Sequence, residues 1–152
     1  MLHIVLIEPE IPPNTGNIAR LCVAANAHLH LVEPLGFSLD AKHLRRAGMD
    51  YWQDCSVHRW PSYQALQAAQ PDSSRYFYLT TKTKTPYWSA TFQDGDFLVF
   101  GRETKGLPES LLQANAPHCL TIPMDPKARS LNLATSAGIV LYEAKRQIDA
   151  HS

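Results

Sequence analysis

Three loops of this 152-residue chain carry residue types that a plain connection between elements does not need. The first, Asn14-Thr-Gly-Asn-Ile-Ala-Arg20, sets Asn17 and Arg20 one helical turn apart, a hydrogen-bonding amide beside a permanent cation. Such a pair suits a phosphate held next to a reacting oxygen, although taken alone Asn14 reads equally as a helix cap and Arg20 as a surface charge. The second, Phe100-Gly-Arg-Glu-Thr-Lys-Gly-Leu-Pro108, brackets Glu103 with Gly101 and Gly106. Glycines let a ligand approach the backbone, and they are also routine where a strand turns into a helix. The third, Ile122-Pro-Met-Asp-Pro-Lys-Ala-Arg-Ser-Leu-Asn132, is a long polar turn whose N–H groups suit a carboxylate or the hydroxyls of a sugar.

Other chemistries find no matching pattern. The stretch Glu8-Pro-Glu-Ile-Pro-Pro-Asn-Thr-Gly-Asn17 after the first apolar run is not GxGxxG, and no GxxxxGK[ST] occurs. Of the seven histidines, His28 and His30 alternate along a strand while His3, His43, His58, His118 and His151 are scattered, so no metal is expected. Cys22, Cys55 and Cys119 are odd in number with no CxxC, which points to reduced thiols and a cytoplasmic setting. Met1 to Ile7 runs into an apolar strand without a basic leader, and no apolar run approaches a membrane span, so neither secretion nor insertion is expected.

The elements that must position these loops follow from periodicity. Apolar runs at 2–7, 28–32, 55–59, 75–80, 97–100 and 118–122 read as strands. Between them, helices are expected from Asn14, where Ile18, Leu21, Cys22 and Ala25 form one stripe, and at 40–48, 62–70 and 108–114. A final helix is expected from about Ser130, with Leu133, Ala137, Val140, Leu141, Ala144 and Ile148 on one face and Tyr142, Lys145 and Arg146 elsewhere. The alternation predicts one α/β domain over 1–152, a mainly parallel sheet flanked by helices, with the ligand site at the carboxyl ends of the strands. Fourteen basic and fourteen acidic residues cancel, which removes the simplest argument for nucleic-acid binding but leaves local clusters at Arg45-Arg46, Lys82/Lys84, Lys127/Arg129 and Lys145-Arg146.

In order along the chain, NTGNIAR, FGRETKGLP and IPMDPKARSLNLATSAG resemble the three motifs of the SPOUT class of RNA methyltransferases. The segment Leu44-Arg-Arg-Ala-Gly-Met-Asp-Tyr-Trp52 is similar to one typical of its small TrmL/YibK-like subfamily. The resemblance implies a SPOUT fold with a C-terminal deep trefoil knot, a single domain with no appended RNA-binding domain, and a homodimer. It implies methyl transfer from S-adenosylmethionine to the ribose 2′-hydroxyl of the wobble nucleotide, cytidine or uridine 34, in the anticodon stem-loop of leucine tRNAs. Another RNA as acceptor, or a catalytically silent RNA-binding module, stays open. On the matching positions it implies a cofactor site of Leu79, Thr80, Gly101, Glu103, Gly106, Ile122, Met124, Ser130 and Leu131, and catalytic roles for Arg20, Asn17 and Tyr142. RNA contacts are expected from Lys82, Lys84, Arg129, Lys145 and Arg146, with Tyr87 and Trp88 available to stack on a base. Arg102 and the small residues after Asn132 are departures from the family pattern.

Overall fold

The computed structural model describes residues 1–39 and 52–151. The helix expected at 40–48, Arg45-Arg46 and nearly all of the 44–52 segment lie outside the described residues. Six strands form one sheet: β1 (His3–Ile7), β2 (His28–Val32), β3 (Ser56–Trp60), β4 (Tyr76–Leu79), β5 (Phe97–Phe100) and β6 (Cys119–Leu120). Their order is β3-β2-β1-β5-β4-β6, and every pairing between them is parallel.

Both faces of this sheet are covered, which is why β1 and β5 read as continuous apolar runs rather than alternating ones. On one face Ile4, Leu6, Leu29, Leu31, Leu98 and Phe100 meet Ile18, Ala19 and Cys22 of helix α1 (Pro12–Ala25) and Ala137, Val140, Leu141 and Ala144 of helix α4 (Leu133–Ala150). On the other, Val5, Ile7, Val32, Tyr76, Tyr78 and Val99 meet Tyr63 and Leu66 of α2 (Tyr63–Ala69) and Leu112 of α3 (Glu109–Ala114). The apolar stripes expected for the first and last helices are the faces that pack.

Helix starts differ from the sequence reading in informative ways. α1 opens at Pro12 rather than Asn14, with Ile11 at the cap position. Prolines at the first helical positions cost nothing, because their missing N–H groups would have had no partner there. Asn14 is therefore no cap; it sits buried inside the first turn. α4 opens at Leu133, three residues later than expected, because the Asn132 side chain accepts from the N–H groups of Ala134 and Thr135 and fixes the start.

The register also assembles something that the spacing of histidines did not reveal. Because His3 pairs with His28 and His30 with His58 across the parallel ladder, four imidazoles converge on one face. His3 Nδ1 lies 2.8 Å from His30 Nε2, and the indole N–H of Trp60 donates to His30 Nδ1 at 3.0 Å. An indole N–H can only donate, so the His30 proton must sit on Nε2 and donate to His3. Among the described residues no group of three or more His, Cys, Asp or Glu is placed to hold a metal ion.

The two-residue strand β6 lies between two partners. Thr80 N–H donates to Leu120 O at 2.9 Å on the β4 side. On the opposite side Thr121 N–H donates to Thr85 O and Tyr87 N–H to Thr121 O, both at 2.8 Å. The chain leaving β4 thus passes around the outer edge of β6 before returning to β5.

Candidate functional site

At the carboxyl ends of β4, β5 and β6 the chain encloses a cavity of about 530 Å³, within the range of small-molecule sites. Its walls come from the end of β4 (Leu79 to Lys82), the loop after β5 (Gly101 to Leu107), the turn from β6 to α4 (Thr121 to Leu133), and Ile11 and Asn14 at the start of α1. All nine residues expected around a cofactor, Leu79, Thr80, Gly101, Glu103, Gly106, Ile122, Met124, Ser130 and Leu131, line it. They are brought together by three strands ending at one edge of the sheet, the place where open parallel sheets hold ligands.

The two glycines of the β5 loop serve different needs. A Cβ on Gly101 would lie 2.2 Å from Gly106 C and 2.3 Å from Leu107 N, so this glycine lets the loop close on itself rather than admitting a ligand. Arg102 and Gly106 complete the closure with reciprocal main-chain hydrogen bonds of 3.2 and 2.8 Å. Gly106 has φ +66, and a Cβ there would meet no atom within 4 Å, so it supplies the left-handed turn and leaves space beside the cavity.

Charged residues of this loop are engaged with the start of α1. Arg102 Nη2 donates to Glu8 Oε1 at 2.6 Å, which answers where the extra cation points. Glu103 borders the cavity, yet both its carboxylate oxygens accept main-chain protons, from Glu10 N at 2.9 Å and Ile11 N at 3.1 Å. Glu10 returns the contact by accepting from Thr104 N and Thr104 Oγ1 at 3.1 and 2.8 Å. These two bonds hold the Glu10 carboxyl below its ordinary range. A second bridge joins the cavity's helices: Asn132 Nδ2 donates to Asn14 Oδ1 at 3.0 Å while its Oδ1 caps α4. The sequence signalled the asparagines but not that they would meet.

Arg20, Asn17 and Tyr142 stand apart from the cavity. Asn17 and Arg20 are exposed on α1, on the face away from its buried stripe, and Tyr142 is 45% exposed on α4. None of the three lines the cavity within one chain. Of the residues expected to meet RNA, Lys82 and Arg129 border it, and Lys82 forms a 2.6 Å ion pair with Glu109. Lys84 is exposed on the same loop, where Trp88 is 55% exposed and packs edge-on to Tyr87. Lys145 and Arg146 pair along α4 with Asp149 and Glu143. Exposed pairs of this kind contribute little to stability.

Residues 1–142 match the model of the SpoU rRNA Methylase family. A tRNA (cytidine(34)-2'-O)-methyltransferase of Escherichia coli K12 is 51% identical over 150 residues, covering 97% of this chain and 94% of the relative. A solved structure from work on the 2-OH methylation of C/U34 on tRNA superposes with a TM-score of 0.91 at 43% identity, covering 99% of this chain and 97% of that one. An AdoMet-bound rRNA methyltransferase from Sinorhizobium meliloti superposes with a TM-score of 0.82 at 26% identity, over 95% of this chain and 56% of its own. With the family match spanning nearly its whole length and its three loops gathered at one sheet edge, the chain belongs to the SpoU rRNA methylase family.

Proposed function

We propose that this chain transfers the methyl group of S-adenosylmethionine to the ribose 2′-hydroxyl of nucleotide 34, cytidine or uridine, in the anticodon stem-loop of tRNA, with leucine tRNAs as acceptors. The observation that carries the reading is the cavity lined by residues of all three loops; the names of relatives about half identical over nearly the full length supply the acceptor. The residues present fit the cofactor. The left-handed Gly106 opens space, the strand ends at Leu79 and Ile122 offer main-chain groups to an adenine edge, and the turn at Ser130 and Leu131 offers polar groups to a ribose or carboxylate. When bound, S-adenosylmethionine supplies an electrophilic methyl group on a sulfonium.

The chain's own part is positioning and charge. Holding the 2′-oxygen in line with the methyl is worth up to roughly 7–11 kcal/mol of barrier. A guanidinium is no proton acceptor. Arg20 grips the phosphate beside the ribose and stabilises charge on the 2′-oxygen as its proton passes to an oxygen of that phosphate, while Asn17 and Tyr142 orient the pair. Since these three lie outside the cavity of their own chain, the reading includes a homodimer in which α1 and α4 meet a second copy and complete its site. It also includes the deep trefoil knot, supported by β6 and Thr121 being bonded inside the loop that links β4 to β5. A cytoplasmic location goes with the tRNA substrate and with three free cysteines. The reading is tested by mass spectrometry of ribose methylation in tRNA from cells with and without the chain: loss of 2′-O-methylation at nucleotide 34 is expected, and an unchanged tRNA profile refutes it.

A further inference from the structure

The loop after β5 and the segment before α1 are joined by carboxylates exchanged in both directions. Glu103 accepts hydrogen bonds from the main-chain N–H groups of Glu10 and Ile11 at 2.9 and 3.1 Å, and Glu10 accepts from the main-chain N–H and the side-chain hydroxyl of Thr104 at 3.1 and 2.8 Å. Beside them Glu8 has left-handed backbone, φ 53, an arrangement that costs a non-glycine residue energy and persists only when its surroundings hold it. Its surroundings here are the Arg102 ion pair at 2.6 Å and the bond from its own N–H to Val32 O at 2.9 Å. At Gly101 the same loop closes on itself, with Gly106 and Leu107 packed where a Cβ would stand. The seam therefore connects a cavity wall to the first turn of the helix that carries Asn17 and Arg20.

We infer that Glu10 is a positioning residue, which together with Glu103 sets the Arg20 helix in register with the cofactor loop of the same chain, so that seating the cofactor in one subunit also places the arginine which that subunit lends to the site of its partner. This rests on the methyltransferase reading above. Glu10 lines no part of the cavity, so it acts through Thr104 and α1 and not on the cofactor itself. A carboxylate at position 10 reaches both donors of Thr104 with one oxygen, and an amide carbonyl at the same place does the same.

The test compares Glu10→Ala and Glu10→Gln in the full-length protein. Glu10→Ala is expected to weaken S-adenosylmethionine binding and, at saturating cofactor, to slow methyl transfer to tRNA, each by roughly 3- to 10-fold, the low end for losing two hydrogen bonds that water partly replaces. Glu10→Gln is expected to restore both. Thr104→Val, which removes the hydroxyl and keeps the branched shape, is expected to reproduce part of the loss and serves if Glu10→Ala folds poorly. Cofactor binding that weakens while saturated turnover stays at the wild-type rate overturns the coupling, as do Glu10→Ala at full activity and Glu10→Gln as impaired as alanine. Amide hydrogen exchange at Thr104 without any ligand reads the seam independently: faster exchange in Glu10→Ala is expected, and unchanged exchange overturns it. A wild-type chain that bound no S-adenosylmethionine would instead refute the methyltransferase reading and with it the coupling, while the exchange result would still stand for the seam.

Discussion

The imidazole ladder on the α2 face lowers stability in acid, and His30 is the place to test it. Its side chain is 3% exposed, and its pKa is pushed down from the ordinary 6.5 to about 3, first by burial and then by the neighbouring His3, His58 and His28. Geometry gives the same direction: a proton added at Nδ1 would face the indole N–H of Trp60 at 3.0 Å, donor against donor. A histidine whose folded pKa is lowered stays neutral in the native state while the unfolded chain takes up a proton. Stability is thus complete above pH 6.5 and falls as pH drops toward 3. At about 1.4 kcal/mol per pH unit below the unfolded value, His30 alone removes about 2 kcal/mol between pH 7 and pH 5. His3, pushed down to about 4 chiefly by burial, acts in the same direction but more weakly, because solvent reaches it. The assay is urea unfolding at pH 7 and pH 5 for the wild type and His30→Gln, whose amide keeps an acceptor for Trp60 but does not titrate. The wild type should lose about 2 kcal/mol more than the variant over that interval. Equal losses would refute the reasoning, since every other titrating group is shared.

Arg20→Ala should lower single-turnover methyl transfer by roughly 10²–10³-fold with cofactor affinity unchanged, and Arg20→Lys should recover little, because an ammonium lacks the planar two-pronged contact. Gly101→Ala should abolish S-adenosylmethionine binding by calorimetry in chelator, since its Cβ meets Gly106 C at 2.2 Å, whereas Gly106→Ala should cost only the left-handed strain of roughly 1–2 kcal/mol. Asn132→Ala should lower stability to urea by about 1 kcal/mol through loss of the α4 cap, and weaken the cofactor site with it. Sedimentation should show dimers at working concentration; fully active monomers would contradict the shared site.

Local chemistry is legible in the sequence where a single segment determines it. The apolar stripes of α1 and α4 pack as their spacing requires, whereas the nine residues that the family resemblance implied around a cofactor come from three distant segments that only the fold brings to one cavity. The prolines at 12 and 13 announce the true start of α1, and Asn14 distracts from them because an asparagine before an apolar stripe is also a good cap. What stays hidden depends on register between distant segments. The histidine ladder exists only once β1, β2 and β3 are aligned, and Glu103 reads as a residue free for a ligand until its amide partners, more than ninety residues earlier in the chain, come into view.

The placement of β6 between β4 and residues 85–87 bears on how the molecule resists cutting. The connection from β4 to β5 is long and largely exposed, the kind of segment that proteases usually nick. Here its middle is held by two main-chain bonds to Thr121, so a peptide there can enter a protease cleft only after both are broken. The exposed run from Asp125 to Leu131 has no such partner strand among the described residues, and is the expected first cut. Limited digestion should therefore sever the turn from β6 to α4 before the β4–β5 connection, and a small molecule seated against Arg129, Ser130 and Leu131 would be registered as a slower first cleavage.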